Sequence, residues 1–113
     1  MDNVDRAINK VFVANFQEKS FTPAERYGEV IFVTTGFIPL YDMEAVRKKL
    51  AKFVELSSPS DYLILIGPSV ICSMLSILWF SKHGFVNLLS WDGKRNDYNH
   101  FVLGVNEVVS MTD

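Results

Sequence analysis

The clearest signal in the chain is a series of short, unbroken apolar runs separated by amphipathic stretches. Glu29-Val30-Ile31-Phe32-Val33-Thr34 is the first of these runs. It does not alternate, so it predicts a strand buried on both faces, as in a parallel sheet. Thr35-Gly36 ends it. Asp42 then suits an N-cap, and Met43, Val46, Leu50, Phe53 and Val54 share one face of a helix from about Met43 to Leu56. Glu44, Lys48, Ala51 and Glu55 lie opposite, with Glu44 and Lys48 at a favourable four-residue spacing. Ser57-Ser58-Pro59-Ser60-Asp61 reads as a turn, and Tyr62 to Ile66 as a second buried strand. Ser69 is expected to cap a second helix running to His83, with Gly84 as its left-handed terminator. Phe85 to Trp91 predicts a third strand. After the polar turn Asp92 to Asp97, Tyr98 to Leu103 predicts the returning strand of a hairpin.

Ahead of this unit, Val4, Ile8, Val11 and Phe12 recur at helical spacing and predict an amphipathic N-terminal helix over residues 4–16. The run Val11-Phe12-Val13 also suits a strand. Thr22-Pro23-Ala24-Glu25 predicts one helical turn stopped at Gly28. Together these elements predict one α/β domain over residues 1–113. Its core is βαβαβ and mostly parallel, in two or three layers, with an N-terminal helix and a C-terminal antiparallel hairpin. The pattern looks like a reduced Rossmann-like or flavodoxin-like sheet. That resemblance carries no functional residues with it.

The two crossover helices differ. The first has an ordinary charged outer face, whereas the second has no charge from Ser69 to Ser81. On a helical projection Val70, Ile71, Met74, Leu75, Ile77 and Leu78 gather on one side, the expected core face. Ser69, Cys72, Ser73, Ser76, Phe80 and His83 gather on the other, with Trp79 at the border. Small uncharged side chains flanked by aromatics suit close approach of another element. The N-terminal helix or a partner, most simply a second copy of the chain, is expected to cover them, with a lipid surface as the third alternative.

Composition narrows the functional classes. The 113 residues hold 11 Lys and Arg against 13 Asp and Glu, a net charge of −2, which gives no general attraction to nucleic acid or to anionic membrane. A single cysteine, Cys72, excludes an intramolecular disulfide and suits a reducing, cytoplasmic setting. The acidic start Met1 to Asp5 does not read as a secretory signal. Residues 62–81 carry no charge over the length of a membrane span, but Gly67-Pro68-Ser69 divides them into a strand and a capped helix.

Candidate chemistry is sparse. Ligands of parallel sheets bind outside the carboxyl ends of the strands. The loops there offer Thr34, Thr35, Gly36, Gly67 and Ser69, hydroxyls and a helix N-terminus of the kind that holds phosphate or carboxylate. Neither GxGxxG nor a Walker lysine accompanies them. Cys72 lacks a basic neighbour and reads as an inert helix residue. Asp92, Asp97 and His100 could approach one another on the hairpin, but a further metal ligand or a nucleophile is missing. Lys94 and Arg95 beside Trp91 and Tyr98 make a small basic tip, the polarity expected of a solvated turn. No catalytic residue, metal or cofactor is therefore expected. The leading expectation is a non-enzymatic protein-interaction module, self-associating as a homodimer through the second helix, of a kind that suits a phage or mobile-element accessory protein. The alternative is a small-ligand or nucleotide-binding domain at the strand carboxyl ends.

Overall fold

A computed structural model describes residues 9–106. Five strands form one sheet: β1 (Lys10–Asn15), β2 (Glu29–Thr34), β3 (Tyr62–Ile64), β4 (Phe85–Asp92) and β5 (Asp97–Gly104). Two helices accompany them, α1 (Met43–Leu56) and α2 (Ser69–His83), with a 3-10 turn at Thr22–Ala24. The strand order is β2-β1-β3-β4-β5. β1 pairs parallel to β2 and to β3, β3 pairs parallel to β4, and β4 pairs antiparallel to β5. The sheet is thus mostly parallel, with an antiparallel C-terminal hairpin.

The predicted N-terminal helix is not there. Lys10 to Asn15 form an interior strand of the sheet, between β2 and β3, while Val4 and Ile8 of that expectation lie outside the described residues. Val11, Phe12, Val13 and Ala14 are all fully buried, two toward each side of the sheet. A helix would bury only one stripe of such a run. A strand between two others buries all of it, and β-branched and aromatic side chains suit that place.

The sheet has two unlike faces. Phe12, Ala14, Val33, Leu63 and Val86 pack with Val46, Leu50 and Val54 of α1 and with Ile71, Leu75 and Trp79 of α2. Both helices therefore lie on this face. The other face gathers Val11, Val13, Ile64, Leu89 and Tyr98 under Phe21 and Ala24, from the connection between β1 and β2. Doubly wound sheets carry helices on both faces. Here, among the described residues, one face has two helices and the other a single 3-10 turn.

Local chemistry explains the element ends. Asp42 caps α1 by accepting a hydrogen bond from the Ala45 amide at 3.2 Å. The last turn of α1 is closed from outside: Lys82 Nζ of α2 donates to the carbonyls of Val54, Glu55 and Ser57 at 2.8–2.9 Å. Pro68, not Ser69, holds the N-cap position of α2, and no side chain caps that end. Gly84 ends the helix at φ 81°, as expected of a left-handed terminator. Asp61 is fully buried; its carboxylate accepts from the Ser58 and Lys10 amides, both at 2.8 Å. One side chain thereby closes the turn after α1 and fixes the start of β1.

Candidate functional site

α2 is rotated relative to the expected face. Its buried stripe is Ile71, Leu75 and Trp79, at successive spacings of four, with Cys72, Met74 and Leu78 packed beside it. Trp79 is 1% exposed and meets Phe12 edge-on at 5.3 Å between ring centroids, so it belongs to the core and not to a surface border. Val70 and Ile77, expected inside, are outside; Ile77 is 68% exposed. The exposed ridge is Ser69, Val70, Ser73, Ile77 and Ser81, without a charge among them.

Apolar grooves flank this ridge. One, of about 430 Å³, runs between α2 and the hairpin and is lined by Ile77, Phe80, Val86, Leu103 and Val105, with Ser76 at its edge. The other, of about 510 Å³, lies toward α1 and holds Ser69, Val70, Ser73, Met74 and Leu78, with Arg47 at its rim. Ile77 lines both. α1 offers a contrast: six of its eight exposed positions, Glu44, Arg47, Lys48, Lys49, Lys52 and Glu55, are charged, the other two being Ala45 and, at its last turn, Leu56. Of the residues expected at a partner surface, Ser69 and Ser73 are exposed, while Phe80 and Ser76 line a groove. Ser76 Oγ also donates to the Cys72 carbonyl at 2.8 Å. Cys72, Trp79 and His83 point elsewhere.

His83 faces the end of α1. Its Nε2 lies 2.8 Å from Ser57 Oγ, which in turn donates to the Val54 carbonyl at 2.6 Å. A hydroxyl has one proton to give, so His83 is the donor of this pair. The Ser57 hydroxyl is thus committed to the backbone, an arrangement that closes a helix end and activates no nucleophile. Burial pushes the Cys72 thiol pKa up, away from the thiolate form that reactive cysteines need.

The loops at the strand carboxyl ends do not converge as a single cradle. Thr34 is buried, and its hydroxyl donates to the Ala14 carbonyl at 2.6 Å. Thr34 and Thr35 line a hollow of about 220 Å³ with Phe37 and Lys49. Gly36 is exposed, at φ 65°. Gly67 and Ser69 lie apart from that hollow. Gly67 rests against β1, where an added Cβ would stand 2.6 Å from Asn15 Cβ. That contact fills the crevice between β1 and β3, where the chain passes to opposite faces of the sheet.

The hairpin tip is built from its own polar groups. Asp92 Oδ1 accepts from the amides of Lys94 and Arg95 at 3.1 and 3.4 Å, and Asn96 takes φ 55°. Asp92 pairs with Asp97 across the strands, and Asp97 accepts from Arg26 at 2.8 Å. His100 is not with them; its Nε2 lies 3.0 Å from Asn87 Oδ1, and its ring meets Tyr62. Among the described residues no group of three or more His, Cys, Asp or Glu could hold a metal ion. Also among them, no helix is long and apolar enough to cross a membrane; residues 62–81 divide into β3, a loop and α2.

Sequence reasoning missed Ile77 and Val70 as surface residues and Lys82 as a helix cap. The signal for the first two was the four-residue spacing of Ile71, Leu75 and Trp79, ending on the largest apolar side chain of the helix.

Fold and surface define a small α/β protein with a mostly parallel sheet and one uncharged, apolar helix face. The model of the phage Pam3 gp32-like protein family matches residues 7–105, nearly the whole chain. The chain belongs to this family, which makes it a phage-associated protein. No curated protein and no solved structure matches it.

Proposed function

We propose that this phage protein is a non-enzymatic interaction module that forms a homodimer through the outer face of α2. The observation that carries the reading is Ile77, 68% exposed at the crest of an uncharged ridge between two apolar grooves. Leaving such a side chain in water forgoes roughly 1.5–3 kcal/mol that its burial would contribute. A ridge beside a groove on one surface is self-complementary: a two-fold axis near α2 seats each Ile77 in a groove of the other copy. Ser69 and Ser73 have small side chains, so two helices can approach closely along this face. No charge on the ridge has to be matched by a partner. A cytoplasmic setting fits the same reading, since the lone Cys72 needs no oxidising compartment.

Sedimentation velocity across a concentration series tests it. The wild-type chain is expected to move from monomer to dimer, and Ile77→Glu and Ser73→Arg to remain monomeric with unchanged far-UV circular dichroism. A wild-type chain that stays monomeric at the highest soluble concentration rules the reading out.

A further inference from the structure

The two most exposed large apolar side chains among the described residues, Tyr41 at 87% and Phe37 at 83%, stand on one loop, between β2 and α1. The loop is anchored between them. Ile38 packs against the core of the helical face. The Leu40 amide donates to the Ile38 carbonyl and the Asp42 amide to that of Pro39, both at 2.9 Å. The two rings are thus held out in water, an unfavourable place for apolar surface. β1 begins and β5 ends at the opposite end of the sheet, so neither end of the described chain starts out beside this loop.

α1 places positive charge next to the rings. Lys48, Lys49 and Lys52 recur with Ala45 at spacings of three and four, so they form one stripe. All three lysines are exposed, and among the described residues none pairs with a carboxylate. Glu44 and Arg47, off the stripe, pair with each other at 2.8 Å, and Asp42 is engaged as the helix cap. Glu55 comes only after the last of the three lysines. The stripe starts at the loop, since Ala45 and Lys49 line the same hollow as Phe37. The net charge of −2 is a sum over the whole chain, and this face is locally positive.

The shape of the face selects among polyanions. A membrane that took up the loop would leave Lys52 about 15 Å away along the helix axis, beyond the roughly 8 Å over which charges act at physiological salt. An acidic polypeptide would satisfy the lysines and offer the rings nothing flat to stack on. A nucleic-acid duplex keeps its bases stacked on each other. A single strand offers both a line of phosphates and free base faces.

We propose that Phe37, Tyr41 and the Lys48, Lys49 and Lys52 stripe form a binding face for single-stranded nucleic acid, with bases stacked on the two rings and phosphates along α1. This face is separate from the outer ridge of α2 and does not rest on self-association there.

Fluorescence anisotropy of a short labelled oligothymidylate, titrated with the full chain over a salt series, tests it. Saturable binding is expected at low salt, with the logarithm of affinity falling against that of salt at a slope of about −2, as three phosphate contacts to a single strand imply. Lys49→Ala is expected to make that slope shallower by about 0.7. Phe37→Ala and Tyr41→Ala are each expected to weaken binding about tenfold and leave the slope unchanged. The substituted positions are all exposed, so unchanged far-UV circular dichroism is expected throughout. Absence of binding at low salt overturns the proposal. So does wild-type affinity in both ring variants, or competition by duplex DNA, polyglutamate or phosphatidylglycerol vesicles as effective as that by the unlabelled single strand.

Discussion

His83 Nε2 lies 2.8 Å from Ser57 Oγ, so the last turn of α2 is hydrogen-bonded to the residue that ends α1. Burial and the neighbouring Lys82 charge hold the His83 pKa below its ordinary value, against a smaller opposing pull from Asp61. The helix C-terminus by itself would favour the charged form. Because the folded state resists the proton that the unfolded chain accepts near pH 6.5, His83 contributes stability above that pH. The contribution is lost as pH falls through the lower folded-state value. Urea midpoints should therefore drop between pH 7.5 and 5.5, with a shallower drop in His83→Gln.

Lys82 should matter more than its place on the surface suggests. It donates to three carbonyls at the end of α1, of which that of Val54 also accepts from Ser57. Lys82→Met keeps most of the aliphatic stem and removes the donors. A loss of about 1–2 kcal/mol is expected from chemical denaturation, against a change within about 0.5 kcal/mol for Lys48→Met on the outer face of α1.

Asp61→Ala is expected to be among the most damaging single changes. It leaves the Ser58 and Lys10 amides without their acceptor in a site closed to water. The expected cost is about 2–4 kcal/mol, mostly from unpaired buried donors. Hydrogen exchange should show the Lys10 amide losing protection in the variant.

Two glycines make a matched pair. Gly67 has φ 122° and stands against Asn15, whereas Gly36 has φ 65° and open space around it. Gly36→Ala meets only the left-handed backbone cost, about 1 kcal/mol. Gly67→Ala adds a clash with β1 and should lower the melting temperature at least twice as far.

Trp79 and Ile77, two residues apart on α2, should respond in opposite ways. Trp79→Ala removes a fully buried ring and is expected to cost about 3–5 kcal/mol. Ile77→Ala should leave the melting temperature of the monomer within a few degrees of wild type. Thermal melts at low protein concentration separate the two.

Most of the architecture was legible in the chain. β2, α1, β3, α2 and the β4–β5 hairpin each carry their own local signals, such as the Asp42 cap, the Gly84 stop and the polar turn after Asp92. β1 was not legible, because Val11 and Phe12 continue a helical spacing from Val4 and Ile8, while Val11-Phe12-Val13 also suits a strand. What decides between them is burial on both sides, which depends on β2 and β3 arriving from elsewhere in the chain. The rotation of α2 failed for a related reason. Apolar residues surround that helix, so its periodicity offers more than one face, and the contact of Trp79 with Phe12 of β1 selects the one on which Ile71, Leu75 and Trp79 recur. Asp61 and Lys82 act through partners distant in sequence, and local pattern is blind to such pairs.

The place of β1 between β2 and β3 has a consequence for the order in which the molecule assembles. Lys10 and its anchor Asp61 are 51 residues apart, and β1 pairs with β3 just beyond that anchor. β2 can pair with one edge of β1 earlier, but the other edge therefore stays open until the chain through Ile64 has been made. Closing contacts over such separations is slow compared with forming a helix or hairpin. In that interval the strand is open to pairing with other chains. A deletion or fusion reaching into β1 thus acts on the yield of the whole sheet, whereas an insertion at the turn between β4 and β5 burdens only a loop that folds with its immediate neighbours.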